Sequence, residues 1–146
     1  MEGSDTPFTV KRRVRWGDCD PAGIIYTPRV FDYVIEAIEA WYPAVVGATW
    51  LELNWVSGTG APVVRAECDF MRPPVPGLEF DLRVRVTDVG RSSLTFRVEG
   101  RDGAGELYFE ATMVTCFIAK PAFEARQIPA EIRQRVMAYR TSCGDG

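Results

Sequence analysis

One long stretch of helical spacing, set in a chain that otherwise alternates with the period of strands, restricts this fold more than any other feature. Between Pro28 and Val46 the apolar residues Val30, Phe31, Val34, Ile35, Ile38, Trp41, Tyr42 and Val45 recur at helical intervals. Arg29, Asp32, Glu36 and Glu39 take the opposite side. Thr27 suits an N-cap, and Pro28 suits the first helical position, where its missing N–H costs nothing. Gly47 supplies a stop, and Pro43 predicts a kink or an end near Tyr42.

Strand patterning surrounds this helix. Residues 8–16 place Phe8, Val10, Val14 and Trp16 on one face and Lys11, Arg13 and Arg15 on the other. A strand is expected over 62–72, ending at Pro73-Pro74. Residues 78–88 alternate strictly, with Leu78, Phe80, Leu82, Val84 and Val86 inward. After a turn at Gly90-Arg91-Ser92, the residues Leu94, Phe96 and Val98 continue the alternation. Asp102-Gly103-Ala104-Gly105 reads as a hairpin turn, and 106–119 as the longest strand. The segment 48–60 has no clear period: Trp50, Leu51, Leu53, Trp55 and Val56 are apolar, and Gly58-Thr59-Gly60 forms a turn. Pro129 to Arg140, with Ile132, Val136 and Tyr139 on one side, predicts a closing helix.

The expected order is strand, long helix, four strands in hairpin succession, short helix. That is an α+β layout in which an antiparallel sheet wraps around one long central helix. At 146 residues the chain reads as one domain spanning 1–146, with its core at about 8–120 and a C-terminal helix at about 129–140.

Composition then narrows the function. With 47% hydrophobic and 25% charged residues the chain is globular, and a net charge of -3 offers no global field for nucleic acid or an anionic membrane. Met1 to Thr6 is too short and polar for a signal peptide, and no apolar run approaches the roughly 20 residues of a membrane helix. A cytoplasmic location is expected. The four cysteines, Cys19, Cys68, Cys116 and Cys143, form no close pair, so reduced thiols are expected and neither a zinc site nor a redox motif. The chain has no histidine. Ser-His and Cys-His nucleophile pairs and a histidine general base are therefore excluded, leaving acid–base work to Asp, Glu, Tyr, Cys or Lys.

The chemical candidate is the loop Trp16-Gly17-Asp18-Cys19-Asp20-Pro21-Ala22-Gly23, between a strand and the start of the long helix. Acidic residues there have a plain explanation in capping and the helix dipole. Asp20, however, lies seven residues before Thr27, too early to cap this helix, and Pro-Ala-Gly gives the chain room to fold it back. A carboxylate would then lie beside backbone N–H groups at Tyr26, Thr27 and the first helical turn, donors that could polarise a carbonyl and hold an oxyanion, which together suffice for acyl transfer from a good leaving group. A thioester, with its good leaving group, is the natural substrate.

The run from Gly17 to Tyr26, followed by Pro28 and Phe31, resembles the signature of the 4-hydroxybenzoyl-CoA thioesterase family of hotdog proteins. The runs Asp69 to Gly77 and Gly90 to Phe96 are similar to later parts of the same family, and the likeness spans about residues 8–120. The resemblance implies a hotdog fold and hydrolysis of an acyl-CoA thioester. It implies Asp20 as the catalytic carboxylate, either nucleophile or general base, and Thr27 as the residue whose backbone N–H polarises the carbonyl. Tyr26 corresponds to a pocket aromatic. Arg91 and Ser92 fall where the family contacts the coenzyme A phosphates, with Arg126 and Lys120 as weaker candidates. For each of these cations an exposed solubilising charge is the competing explanation.

Short-chain members of the family place a histidine after the motif tyrosine; here Thr27 stands there, which favours the aryl-CoA branch. Phe31, Trp41, Trp50 and Trp55 are candidates to line an aryl pocket, although such residues are more often core. The resemblance also implies dimers with active sites at the interface, commonly paired into tetramers, and no cofactor beyond the coenzyme A of the substrate. Other readings are a thioesterase for short or medium aliphatic chains, a non-catalytic acyl-CoA-binding hotdog protein, and a partner-binding domain in which Asp18 and Asp20 only cap. A hotdog dehydratase would need a histidine that the chain lacks.

Overall fold

The computed structural model describes residues 7–55 and 58–144, so the expectations for Met1–Thr6 and Val56 lie outside the described residues. Five strands form the main sheet: β1 (Phe8–Arg13), β3 (Val63–Phe70), β4 (Glu79–Val89), β5 (Ser93–Arg101) and β6 (Leu107–Cys116). Their order across it is β1-β4-β5-β6-β3, with antiparallel neighbours. Helix α1 (Thr27–Val45) packs on the inner face, so the α+β hotdog architecture is observed. A second small sheet joins β2 (Thr59–Gly60), β7 (Ile118–Ala119) and β8 (Glu124–Ala125), close to α2 (Trp50–Trp55), and α3 (Ala130–Ser142) follows.

The two apolar patterns meet as their periods demand. Val30, Tyr33, Val34, Ala37, Ile38, Trp41 and Tyr42 are fully buried on one stripe of α1. Opposite them, register sets Val84 beside Val98 and Val98 beside Ala111, with Leu82, Phe96 and Met113 on the same buried face. Trp41 meets Phe96 edge-on at 4.9 Å between ring centroids. Each such side chain contributes roughly 1.5–3 kcal/mol by leaving water, which is why one helix suffices to hold the sheet.

Several expectations are corrected. The strands after the helix are not all in hairpin succession: β3 pairs with β6 at the far edge, and residues 71–78 cross the sheet's end to reach β4. The alternation marks each strand but carries no information on which neighbour it takes. Thr27 is the first helical residue and Tyr26 occupies the N-cap position, with no side-chain cap bond. Pro43 does not end the helix at Tyr42, since α1 continues to Val45; it lies on the exposed side, where water can satisfy the carbonyl whose bond proline forgoes. The strand expected over 106–119 divides at Phe117 into β6 and β7, which belong to different sheets. Trp16 does not face inward with Val14; it begins a 3-10 turn, Trp16–Asp18, and is 86% exposed.

Helix α3 covers the stretch of β4 that extends past β1. The Tyr139 hydroxyl accepts the Phe8 N–H at 2.8 Å and donates to the Val84 carbonyl. Arg140 donates to the Thr87 carbonyl at 2.8 Å, and Arg133 to the Gly90 carbonyl at 2.6 Å. Among the described residues no helix is long and apolar enough to cross a membrane.

Candidate active site

The loop after β1 folds into a miniature hairpin. Cys19 and Ile25 form an isolated antiparallel bridge, and the Asp20 N–H donates to the Ile24 carbonyl at 3.0 Å. At its tip the Gly23 N–H donates to the Asp20 carbonyl at 2.9 Å, and Gly23 takes φ 82°, a left-handed conformation suited to glycine. One carboxylate oxygen of Asp20, Oδ1, accepts the Ala22 N–H at 2.9 Å, the self-bonding that Asp makes in turns. Among the described residues Asp20 has no ion-pair partner. Its carboxylate is thus held by the backbone and retains a second oxygen for chemistry.

Asp18 fixes this hairpin to the rest of the fold. Its Oδ2 accepts the Tyr33 hydroxyl at 2.6 Å and the Arg15 N–H at 3.2 Å, and the Arg12 guanidinium stands 3.8 Å away. Arg12 also lies over the Tyr33 ring at 4.2 Å from its centroid and donates to Glu36 at 2.8 Å. Partial burial pushes the Asp18 carboxyl up, but the bonds from Tyr33 and Arg15 and the nearby Arg12 outweigh it and hold the group below the ordinary value of 3.8. Asp18 therefore has the structural role that its partners define. The Cys19 thiol is pushed up by partial burial, then by Asp18 and Asp20, which disfavours a thiolate nucleophile.

The crossing segment 71–78 forms the second wall. Ile25 donates to the Pro74 carbonyl at 2.9 Å, Val14 to the Leu78 carbonyl at 2.8 Å, and Gly77 to the Val14 carbonyl at 2.8 Å. Two cavities lie against this hairpin and the crossing segment. Asp20 lines the first, about 360 Å³, with Trp16, Cys19, Pro21, Gly23 and Pro76. Thr27 lines the second, about 310 Å³, with Ile24, Ile25 and the run Phe70 to Pro74.

The start of α1 singles out one donor. The Tyr26 N–H is spent on the Asp18 carbonyl at 2.8 Å, and the Arg29 N–H on the Tyr26 carbonyl at 2.8 Å. Pro28 has none to give. The Thr27 N–H has no acceptor among the described residues, so it is the backbone donor left available at this helix end, where the dipole favours negative charge. Tyr26, expected among the free donors, is removed from them by its bond to Asp18. The Tyr26 ring is 53% exposed beside this donor and lines neither cavity.

The expected phosphate ligands lie elsewhere. Arg91 and Ser92 sit in the turn after β4, tied to the segments flanking the small sheet by bonds from Ile128 N–H to the Arg91 carbonyl at 2.9 Å and Phe117 N–H to the Ser92 carbonyl at 2.7 Å. Arg126 donates to the Thr59 hydroxyl at 2.7 Å, and Lys120 to the Asn54 carbonyl. The hairpin of Asp20 is attached at the opposite end of β4, whose 11 residues span about 36 Å. One chain does not bring Arg91 and Arg126 to Asp20. The candidate pocket aromatics are also displaced: Trp41 is fully buried, Trp50 stacks on Tyr42, Phe31 is half-buried and Trp55 is exposed on α2, and none lines either cavity. The sequence reading missed Tyr33, which fits the buried stripe three residues after Val30, and the site role of Phe70 to Pro74.

No group of three or more potential metal ligands occurs among the described residues. The Asp20 carboxylate and the unspent Thr27 N–H are thus carried by one hairpin and the helix that follows it. Residues 14–136 match the thioesterase-like superfamily, and the chain belongs to it. Among curated proteins it is 33% identical over 98 residues to a 1,4-dihydroxy-2-naphthoyl-CoA hydrolase of Synechococcus elongatus, covering 64% of this chain and 68% of that protein. A thioesterase superfamily structure from Jannaschia sp. CCS1 superposes with a TM-score of 0.85 at 32% identity, covering 94% of this chain and 96% of the other. A Staphylococcus aureus protein solved in complex with CoA shares the fold, with a TM-score of 0.87 at 11% identity over 97% and 87% of the two chains. The curated relative is thus a naphthoyl-CoA and not a hydroxybenzoyl-CoA hydrolase.

Proposed function

We propose that this enzyme hydrolyses an aromatic acyl-CoA thioester, of the hydroxybenzoyl, benzoyl or dihydroxynaphthoyl kind, to the free acid and CoA. The observation that carries the reading is the unspent Thr27 N–H at the head of α1, held by the same hairpin that fixes the Asp20 carboxylate. In this reading the thioester lies against the hairpin with its carbonyl oxygen toward the Thr27 N–H. Asp20 attacks the carbonyl carbon to give a mixed anhydride that water then cleaves, or it takes a proton from the attacking water. Either way the negative charge gathers on the carbonyl oxygen, and the helix end stabilises it. The thiolate departs. On the general-base path it takes the proton that Asp20 drew from water. On the anhydride path it takes a proton from solvent, which the water that later cleaves the anhydride replaces. The chemistry calls for no resident cofactor, and the cytoplasm, where thiols stay reduced, suits four free cysteines.

The substrate-binding surface is completed by a second copy. Strand β3 is a sheet edge whose residues are nearly all exposed, including Val63, Val64 and Phe70. Such an edge invites pairing. A two-fold pairing of β3 with its copy reverses strand direction and sets the Arg91–Arg126 end of one protomer beside the Asp20 end of the other. The dimer, itself able to pair into a tetramer, would then supply the phosphate contacts that a single chain separates.

The decisive test is release of free thiol from benzoyl-CoA and 1,4-dihydroxy-2-naphthoyl-CoA by wild type and Asp20→Asn. Turnover is expected to fall at least about a hundredfold in the variant, with unchanged thermal unfolding. An Asp20→Asn protein as active as wild type would overturn this assignment. Binding of these thioesters without hydrolysis by wild type would establish the non-catalytic alternative.

A further inference from the structure

We propose that Trp16 selects the aromatic acyl group, its indole forming the stacking wall of the cavity into which Asp20 opens. The proposal rests on the thioesterase reading and assigns the two arms of the substrate: acyl group in the Trp16 cavity, thiol arm in the Thr27 cavity.

The indole is conspicuous because nothing in the chain covers it. Trp16 is 86% exposed, although a tryptophan carries on the order of 150–250 Å² of surface that gains by burial. Its position is nevertheless built. The Asp18 N–H donates to the Arg15 carbonyl at 3.0 Å, the Cys19 N–H to the Trp16 carbonyl at 3.2 Å, and Asp18 Oδ2 accepts the Arg15 N–H at 3.2 Å. These bonds lock the 3-10 turn on both sides of the indole, so the loop spends no ordering entropy on presenting it.

The other walls suit a flat, uncharged ring. Pro21 and Pro76 are rigid apolar surfaces, and Gly23 adds no side chain. The cavity's 360 Å³ lies within the range of small-ligand sites. Asp20 is the one acidic or basic side chain among its lining residues, so a polyanionic arm placed there would meet a like charge and no counter-charge. The neighbouring cavity has Arg72 in its lining, an exposed cation that pairs with Glu106 at 3.4 Å, so the thiol arm meets no uncompensated acid there.

The test compares wild type, Trp16→Phe and Trp16→Ala on benzoyl-CoA, hexanoyl-CoA and the benzoyl thioester of N-acetylcysteamine, which lacks the nucleotide. Trp16→Ala is expected to lower the ratio of kcat/KM for benzoyl- over hexanoyl-CoA by about tenfold, the scale of one aromatic stacking contact. The same loss should appear with the truncated benzoyl thioester, and Trp16→Phe should restore most of it. Oligomer mass by light scattering should not change. Equal losses on both acyl groups, or a loss confined to the full CoA substrate as adenine stacking would give, overturn the proposal. So does a shift in oligomer mass, which would make the indole an interface residue. A wild type silent on all three thioesters instead overturns the underlying thioesterase reading.

Discussion

The Tyr33 hydroxyl, on a fully buried ring of α1, donates at 2.6 Å to the carboxylate of Asp18, fifteen residues earlier in the chain. Through the Asp18 carbonyl, which accepts the Tyr26 N–H, this one bond ties the loop of Asp20 to the helix that offers the Thr27 N–H. Because the Asp18 pKa is held below 3.8, its ionised form contributes stability above about pH 4 that is lost as pH falls through the lowered value. Tyr33→Phe is expected to cost about 1.5–3 kcal/mol at pH 7, the range for a bond to a charged group. Urea unfolding at pH 7 and pH 3 checks this: the gap between wild type and variant should shrink at the lower pH. An equal gap at both would show that the carboxylate is not what Tyr33 holds.

Thr27 permits a substitution that removes one N–H and little else. It is the first residue of α1, a position that accepts proline, and Tyr26 before it is extended at φ -67° and ψ 120°, as a residue preceding proline must be. Thr27→Pro should therefore fold with near wild-type thermal stability and lose about a hundredfold to a thousandfold in kcat. Retained turnover in a folded variant would remove the oxyanion role from this N–H.

Arg91→Ala addresses the distant turn. If the phosphates reach it across a dimer, KM for CoA thioesters should rise several-fold while KM for pantetheine analogues stays put. Steady-state kinetics on both substrate series decide the matter, and equal effects would take Arg91 out of the phosphate site. Its exposure makes an effect on folding small.

Two polar atoms in the core offer a test of packing. Tyr42 Oη and Thr115 Oγ1 are both buried and face each other without meeting full hydrogen-bond geometry, so neither hydroxyl is well satisfied. A buried group so poorly satisfied already carries most of its desolvation cost, so its removal loses little of that kind. Tyr42→Phe should leave the melting temperature unchanged or raise it by a few degrees, which differential scanning calorimetry would register. A fall of more than about 2 kcal/mol would mean that the hydroxyl is satisfied after all.

What the sequence reveals and conceals here follows from range. The α1 stripe and the alternation of 78–86 are local patterns fixed by backbone period, and both appear as read. The strand order is not local: the pattern of β3 does not name its neighbour, and its place beside β6 depends on pairs from Phe70–Phe109 to Val63–Thr115, far apart in the chain. The loop from Asp18 to Gly23 is legible as a turn from its Asp, Pro and Gly, but the different duties of its two acids are not: Asp18 is taken by Tyr33, fifteen residues on, and Asp20 bonds the backbone of its own turn. Trp16 is misread for the opposite cause, since its even spacing from Val14 continues a strand that ends at Arg13. Arg91 and Ser92 are legible as a turn, but their distance from Asp20 emerges once β4 is seen to separate them.

The bonds that α3 makes along β4 limit how far this sheet can grow. On that side the edge is closed, by Tyr139, Arg140 and Arg133 over the carbonyls past Val84, and by the charges of Lys11, Arg12 and Arg13 on the short β1. The β3 side stays open. A sheet with one sticky end and one blunt end has a valence of one: it can take a single copy of itself and then has nowhere to add a third. Were β3 to take a copy of itself, strand addition would terminate at two, where two open edges would propagate into a fibre.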